Sequence, residues 1–197
     1  MNVLFPTLLH QFDVPTFKEV KKDLIKCVYE ERRKDPKGVE VSNRGGWQSS
    51  SWGFDKGPDL LSKFLIEQLV NYFQKNRILK EGVEIRFSNW WININKKGNL
   101  NIKHNHPYSS LSGVFYLQCP KDSGNIVFES PHAFTRHKLH QCYNSPLCES
   151  LKYHTCMVFD AIPGEFFIFP SDLLHYVEES GSREDRISVS FNIDFVL

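Results

Sequence analysis

Two hydrophobic periods divide the chain. Before about residue 80 the apolar positions recur at helical spacing. Val20, Leu24, Cys27 and Val28 follow Thr16-Phe17-Lys18-Glu19, which reads as a capping box, and this helix is expected to stop before Asp35-Pro36-Lys37-Gly38. A second helix is expected to start at Pro58, a residue suited to the first helical position, with Leu60, Leu61, Phe64, Leu65, Leu69 and Phe73 on one face. From about residue 82 the period becomes two. Val83, Ile85 and Phe87 alternate with polar residues, after which the phase slips and Trp90, Ile92 and Ile94 alternate with Trp91, Asn93 and Asn95. Such a slip inside one strand predicts a bulge. Further strands are expected at Leu111–Gln118, Asn125–Glu129, Met157–Ala161, Glu165–Phe169, Leu174–Glu178 and Arg186–Phe195.

Short strands separated by Gly and Pro turns imply a β-sandwich or jelly roll behind a helical start. The expected organisation is one domain over 1–197, with a helical part over 1–80 and a mainly β core over 81–197. The last strand separates Ile187, Val189, Phe191, Ile193 and Phe195 from Arg186, Ser188, Ser190, Asn192 and Asp194. A polar strand face is ordinarily solvated. With amphipathic helices packed outside a jelly roll, the apolar face can instead meet the helices and the polar face can line a cavity.

Composition narrows the function classes. The 197 residues carry a net charge of +1, which provides no footprint for nucleic acid or an anionic membrane. Sixteen Phe against two Met suit a β-rich core. The five cysteines lack a Cys-x-x-Cys pair and read as reduced thiols. Neither a secretory leader pattern nor a ~20-residue apolar run is present, so a cytoplasmic protein is expected. Gly-x-Ser-x-Gly, Walker and dinucleotide motifs are also missing.

Of eight histidines, His132, His137 and His140 fall in a polar stretch read as a surface loop, His154 opens a strand, and His10 has no neighbour in sequence to act with. His104-Asn105-His106 differs, because imidazoles at i and i+2 beside a strand edge can share an ion. His175 supplies a third imidazole, followed eleven residues later by Arg186 and then Ser188. Such imidazole-rich sites suit iron(II) and other first-row divalent metals.

His-x-His, a distant His and Arg-x-Ser in this order resemble the iron(II)- and 2-oxoglutarate-dependent oxygenases, whose fold is a double-stranded β-helix, a cupin-like jelly roll. Gly45-Gly46-Trp47-Gln48-Ser49, Trp91 to Asn93, Lys97-Gly98-Asn99, His104 to Pro107, Leu111 to Leu117, Phe169-Pro170-Ser171 and Arg186 to Asn192 are similar to an uncharacterised bacterial and phage branch. The resemblance implies iron(II), 2-oxoglutarate and O2 as cofactors and co-substrates, with a C–H bond hydroxylated as succinate and CO2 are released. It makes His104 and His175 metal ligands and puts His106 where the superfamily usually has a carboxylate; Asp172 and Asp160 are the alternative carboxylates. Arg186 and Ser188 would hold 2-oxoglutarate, with Asn192 and Tyr116 beside them, Tyr116 being equally explicable as a core aromatic. Trp47, Gln48, Trp91 and Asn93 are substrate or lid candidates. Trp52 and Trp90 join Trp47 and Trp91 as candidates for the pocket mouth, core packing being at least as good an account of each tryptophan, and Gly45-Gly46 is a candidate lid hinge. The implied partner is a small-molecule or peptide substrate, prolyl or other amino-acyl groups included, in a bacterial or phage-infected cytoplasm. No nucleic acid or membrane partner is implied, and a homodimer is allowed. The competing readings are a cupin-like metal- or ligand-binding jelly roll without oxygenase activity, and a metal-dependent isomerase or hydrolase on the same scaffold.

Overall fold

The computed structural model describes residue 3, residues 5–132 and residues 144–196; His137 and His140 lie outside them. After β1 (His10–Asp13), α1 (Phe17–Lys34) leads to two short strands, β2 (Asn43–Arg44) and β3 (Trp47–Gln48), and then to α2 (Asp59–Lys75). The remaining strands are β4 (Glu84–Asn95), β5 (Leu100–His104), β6 (Leu111–Gln118), β7 (Ile126–Glu129), β8 (Cys156–Phe159), β9 (Glu165–Pro170), β10 (His175–Val177) and β11 (Arg186–Val196). A short helix, α3 (Ser145–Leu151), precedes β8.

Strands β4 to β11 alternate between two antiparallel sheets except at β7 and β8, which pair within one sheet; the sheets are ordered β1-β9-β6-β11-β4-β3 and β2-β5-β10-β7-β8. This is a double-stranded β-helix. The expected bulge is present: Asn192 pairs with Asn89 and Ile193 with Phe87, which leaves Ser88 as the extra residue of β4.

Both amphipathic helices cover the outer face of the six-stranded sheet. Leu24 and Val28 of α1 and Leu61, Leu65 and Leu69 of α2 are fully buried against Ile187, Val189, Phe191 and Ile193 of β11. Each such side chain contributes about 1.5–3 kcal/mol on burial. A second apolar cluster, including Val114, Tyr116, Phe128, Phe167 and Phe169, lies between the sheets. The polar face of β11 therefore points inward, because its apolar face is taken by the helices.

Several local expectations change. Thr16 makes no side-chain capping bond; only its carbonyl accepts from Glu19 N. Pro58 is the N-cap of α2, and Leu60 is exposed, being about 100° round the helix from Leu61. His154 lies in a turn before β8, 3.3 Å from Glu149 Oε1. His10 meets Tyr72 Oη at 3.2 Å across 62 residues. Trp47, Trp52 and Trp90 belong to the helix-side core rather than a pocket mouth. The Gly45-Gly46 pair joins two paired strands instead of hinging a lid: β2 pairs with β5 in one sheet and β3 with β4 in the other. Gly45 has φ +76°, and a Cβ on Gly46 would fall 2.2 Å from Asn95 Oδ1, so the crossing requires glycine at both positions.

Candidate active site

His104 ends β5 and His175 begins β10, and the two are direct cross-strand partners. His106 follows after Asn105, its backbone N–H donating to Ser171 O at 2.7 Å, which holds the segment against the loop before β10. The imidazole centroids are 4.4 Å apart for His104 and His175, 5.0 Å for His104 and His106 and 5.3 Å for His106 and His175. One ligating nitrogen from each lies within 4.8 Å of the others.

Second contacts orient two of the rings. His104 Nδ1 donates to Ile102 O at 2.7 Å and His175 Nδ1 to Leu173 O at 2.8 Å, which leaves Nε2 of each ring with a free lone pair. The His106 ring lies 5.5 Å from Trp91. Burial pushes all three imidazoles below the ordinary histidine value, reinforced at His106 and His175 by the neighbouring His104; His106 falls to about 4 and His175 to about 3. Neutral imidazoles are the form that binds metal. No carboxylate joins this cluster among the described residues, and both Asp172 and Asp160 are exposed outside it.

The opposite wall comes from β4, β11 and β6. Register places Asn93, Ser188 and Tyr116 in one row across these strands and Trp91, Ser190 and Val114 in the next, with Arg186 opposite Asn95. Arg186 is 2% exposed, and no carboxylate lies within 4 Å of it among the described residues. Its Nε has no hydrogen-bond partner, and neither has Tyr116 Oη. The guanidinium carbon lies 5.1 Å from the Tyr116 ring centroid. Burial pushes the Tyr116 phenol up to about 12 against the pull of Arg186, so it remains a proton donor at neutral pH. The three imidazoles, Arg186, Ser188 and Tyr116 all line one cavity.

Asn93 and Trp91 line this cavity too, as the alternation of β4 suggests. Asn192 does not. It stands six residues along β11 from Arg186, roughly 20 Å at ~3.3 Å per residue. There it accepts from Ser112 Oγ at 2.7 Å and donates to Asn89 Oδ1 at 2.9 Å, lining a neighbouring outer cleft. Gln48 lines the same cleft, whereas Trp47 turns away, its Nε1 donating to Asp35 O at 2.8 Å. Sequence reasoning missed Ser42 and Asn101, which line the inner cavity and join Asn95 in a chain of amide and hydroxyl bonds. Asn95 and Asn101 are inward positions of β4 and β5; only the pairing of those strands with the Ser42 segment could have revealed the chain.

A family model described as "Putative 2OG-Fe(II) oxygenase" matches residues 89–192, more than half of the chain. The chain belongs to this oxygenase family. Iron(II), 2-oxoglutarate and O2 are therefore its cofactors and co-substrates, which sets aside a merely cupin-like binding protein. No curated protein sequence matches this oxygenase. Among solved structures it is similar to a Pseudomonas putida prolyl-4-hydroxylase at 15% identity and TM-score 0.63, covering 94% of this chain and 92% of that one. The viral collagen prolyl hydroxylase of Paramecium bursaria Chlorella virus-1 shares 13% identity at TM-score 0.58, over 94% of each chain. HygX from Streptomyces hygroscopicus, solved with nickel and 2-oxoglutarate, shares 11% at 0.60, over 95% of this chain and 82% of that one. These likenesses show the fold. No helix among the described residues is long and apolar enough to cross a membrane.

The residues of this oxygenase fit the family's cofactors on their own chemistry. A buried guanidinium without a counter-charge suits a carboxylate, and three neutral imidazoles suit a divalent metal.

Proposed function

We propose that this oxygenase hydroxylates a C–H bond of a small-molecule or amino-acyl substrate. His104, His106 and His175 hold iron(II), and Arg186 holds the distal carboxylate of 2-oxoglutarate. One observation carries the reading: the histidine cluster and the unpaired, buried Arg186 line the same cavity. Burying a cation without a partner is strongly unfavourable, and a dicarboxylate ligand relieves it.

Bound iron(II) and 2-oxoglutarate supply O2 activation and C–H oxidation, with succinate and CO2 as by-products. The chain's own residues bind and orient. Arg186 offers a planar fork to one carboxylate, Tyr116 a phenolic O–H and Ser188 a hydroxyl. His104 and His175 are held for coordination by their backbone bonds, which fix Nδ1 as the donor. Trp91 lines both the inner cavity and the outer cleft, as do His104 and His106. Prolyl hydroxylases among the structural neighbours support an amino-acyl C–H bond as the site of oxidation.

Iron-loaded protein supplied with 2-oxoglutarate and air is expected to release succinate slowly without added substrate, and Arg186→Ala to abolish that release. Wild-type protein that binds iron but forms no succinate would remove the oxygenase assignment.

A further inference from the structure

The outer cleft beside the histidines carries information on what the oxygenase recognises. Gln48 pairs with Asn93 across β3 and β4, so both side chains share the inward face with Ser188 and Tyr116. Both amides are buried, and in each the carbonyl oxygen lacks a partner: Gln48 Oε1 and Asn93 Oδ1. The Asn93 Nδ2 end is already engaged by Ser190 Oγ at 3.1 Å, which turns its carbonyl away from that hydroxyl. Asn95 Oδ1 on the same face is also without a partner but packs against Gly46, where an added Cβ would fall 2.2 Å from it, whereas the series Ser112, Asn192, Asn89 and Ser51 is satisfied internally.

Charge narrows the ligand further. Ser42, Trp91, Ile102, Asn105 and Asn192 line the outer cleft with Gln48, His104 and His106, and no Asp, Glu, Lys or Arg is among its described lining residues. Asn93 lines the adjoining inner cavity, where Arg186 is the one Lys or Arg among the described lining residues. An ammonium entering here would lose hydration without meeting a carboxylate, and a substrate carboxylate would meet no cation beyond the metal and Arg186, which 2-oxoglutarate occupies. A neutral donor loses little hydration and fills an open carbonyl.

Resting on the oxygenase reading above, we propose that Gln48 and Asn93 form a substrate subsite for an uncharged N–H or O–H donor. The substrate group next to the metal is then an amide or a hydroxyl in an otherwise neutral segment, not the zwitterionic backbone of a free amino acid. Gln48 and Asn93 discriminate by hydrogen bonding, since a site whose carbonyls are left open rejects an isostere that lacks the donor.

The test uses iron-loaded protein with 2-oxoglutarate in air and reads succinate above the substrate-free rate. The probes are N-acetyl amino-acid methylamides, the matching free amino acids and neutral methyl glycosides. Each active probe is compared with an isostere lacking the donor, a methyl ester or a deoxy sugar. The subsite predicts stimulation by uncharged probes and none by free amino acids. It also predicts a KM about tenfold higher for the donor-less isostere, the worth of one hydrogen bond. Gln48→Leu should narrow that tenfold gap through KM rather than kcat. Equal stimulation by free amino acids, no stimulation by any uncharged probe, or equal KM values for a probe and its isostere in the wild type would overturn the subsite while leaving the oxygenase reading in place. Absence of substrate-free succinate from iron-loaded protein would overturn both.

Discussion

His104 and His175 face each other across one rung of the β5–β10 ladder, and each donates Nδ1–H to the carbonyl two residues before it, Ile102 and Leu173. Two strands that are distant in sequence thereby present two pre-aimed Nε2 atoms. His106 completes the set without a carbonyl tether, with its ring beside Trp91.

Three donors predict three comparable losses. Anaerobic iron(II) titration should show that His106→Ala weakens binding as severely as His104→Ala. His106→Asp should retain the metal, because a carboxylate at that position adds a donor and a negative charge. Near wild-type iron binding by His106→Ala would remove His106 from the donor set.

Arg186 separates ligand binding from stability. Truncating one partner of a buried charge pair costs about 2–5 kcal/mol, roughly 30- to several-thousand-fold in affinity. Arg186→Met should therefore lose 2-oxoglutarate by that factor in calorimetry. Its apo form should melt at or above the wild-type temperature, since an unpaired buried cation has been replaced by an apolar side chain of similar length. A marked fall in apo Tm would show that Arg186 stabilises the fold.

The bulge at Ser88 is anchored by Asp194. Its carboxylate accepts from Ser88 Oγ at 2.6 Å, from Ser110 N at 2.8 Å and from Arg86 at 3.2 Å. These bonds, that of Ser88 foremost, hold its carboxyl below the usual value. With the folded value below the unfolded one, the stabilisation is present above about pH 4 and is lost as pH falls through the folded value. Asp194→Asn should thus lose less Tm than wild type between about pH 5 and pH 3; parallel curves would remove Asp194 from the acid response.

Gly113 sits opposite Phe191 in the β6–β11 pairing. A Cβ there would meet the Phe191 ring at 2.3 Å and Phe167 O at 2.7 Å, and the second contact is backbone. Gly113→Ala should destabilise by about 1–3 kcal/mol, read in a thermal melt as a fall of several degrees. An unchanged Tm would show that the sheet can yield at this point.

Much of this was legible in the chain because β-strands write their faces at period two. The alternation from Arg186 to Phe195 indicated which side chains point inward, and the slip near Ser88 marked the bulge. His104, His106 and His175 could be grouped by order and spacing. Alternation puts Asn192 on the same face as Arg186, but six residues of strand carry it roughly 20 Å further along β11, out of reach of the same ligand. Trp47 lies in a segment without periodicity, and its face is decided by pairing of β3 with β4. Strands β2 and β3 are two residues each, too short for any pattern, and exist because β5 and β4 offer them edges. The Ser42–Asn101–Asn95 chain of bonds is likewise a product of pairing.

The most direct test of the central claim is an anaerobic titration of iron(II)-loaded protein with 2-oxoglutarate, followed by visible absorption. The account predicts a saturable metal-to-ligand charge-transfer band in the wild type that Arg186→Met fails to reach at the same 2-oxoglutarate concentration. Fully iron-loaded wild-type protein with no such band at saturating 2-oxoglutarate, or a band equally developed in Arg186→Met, would contradict it.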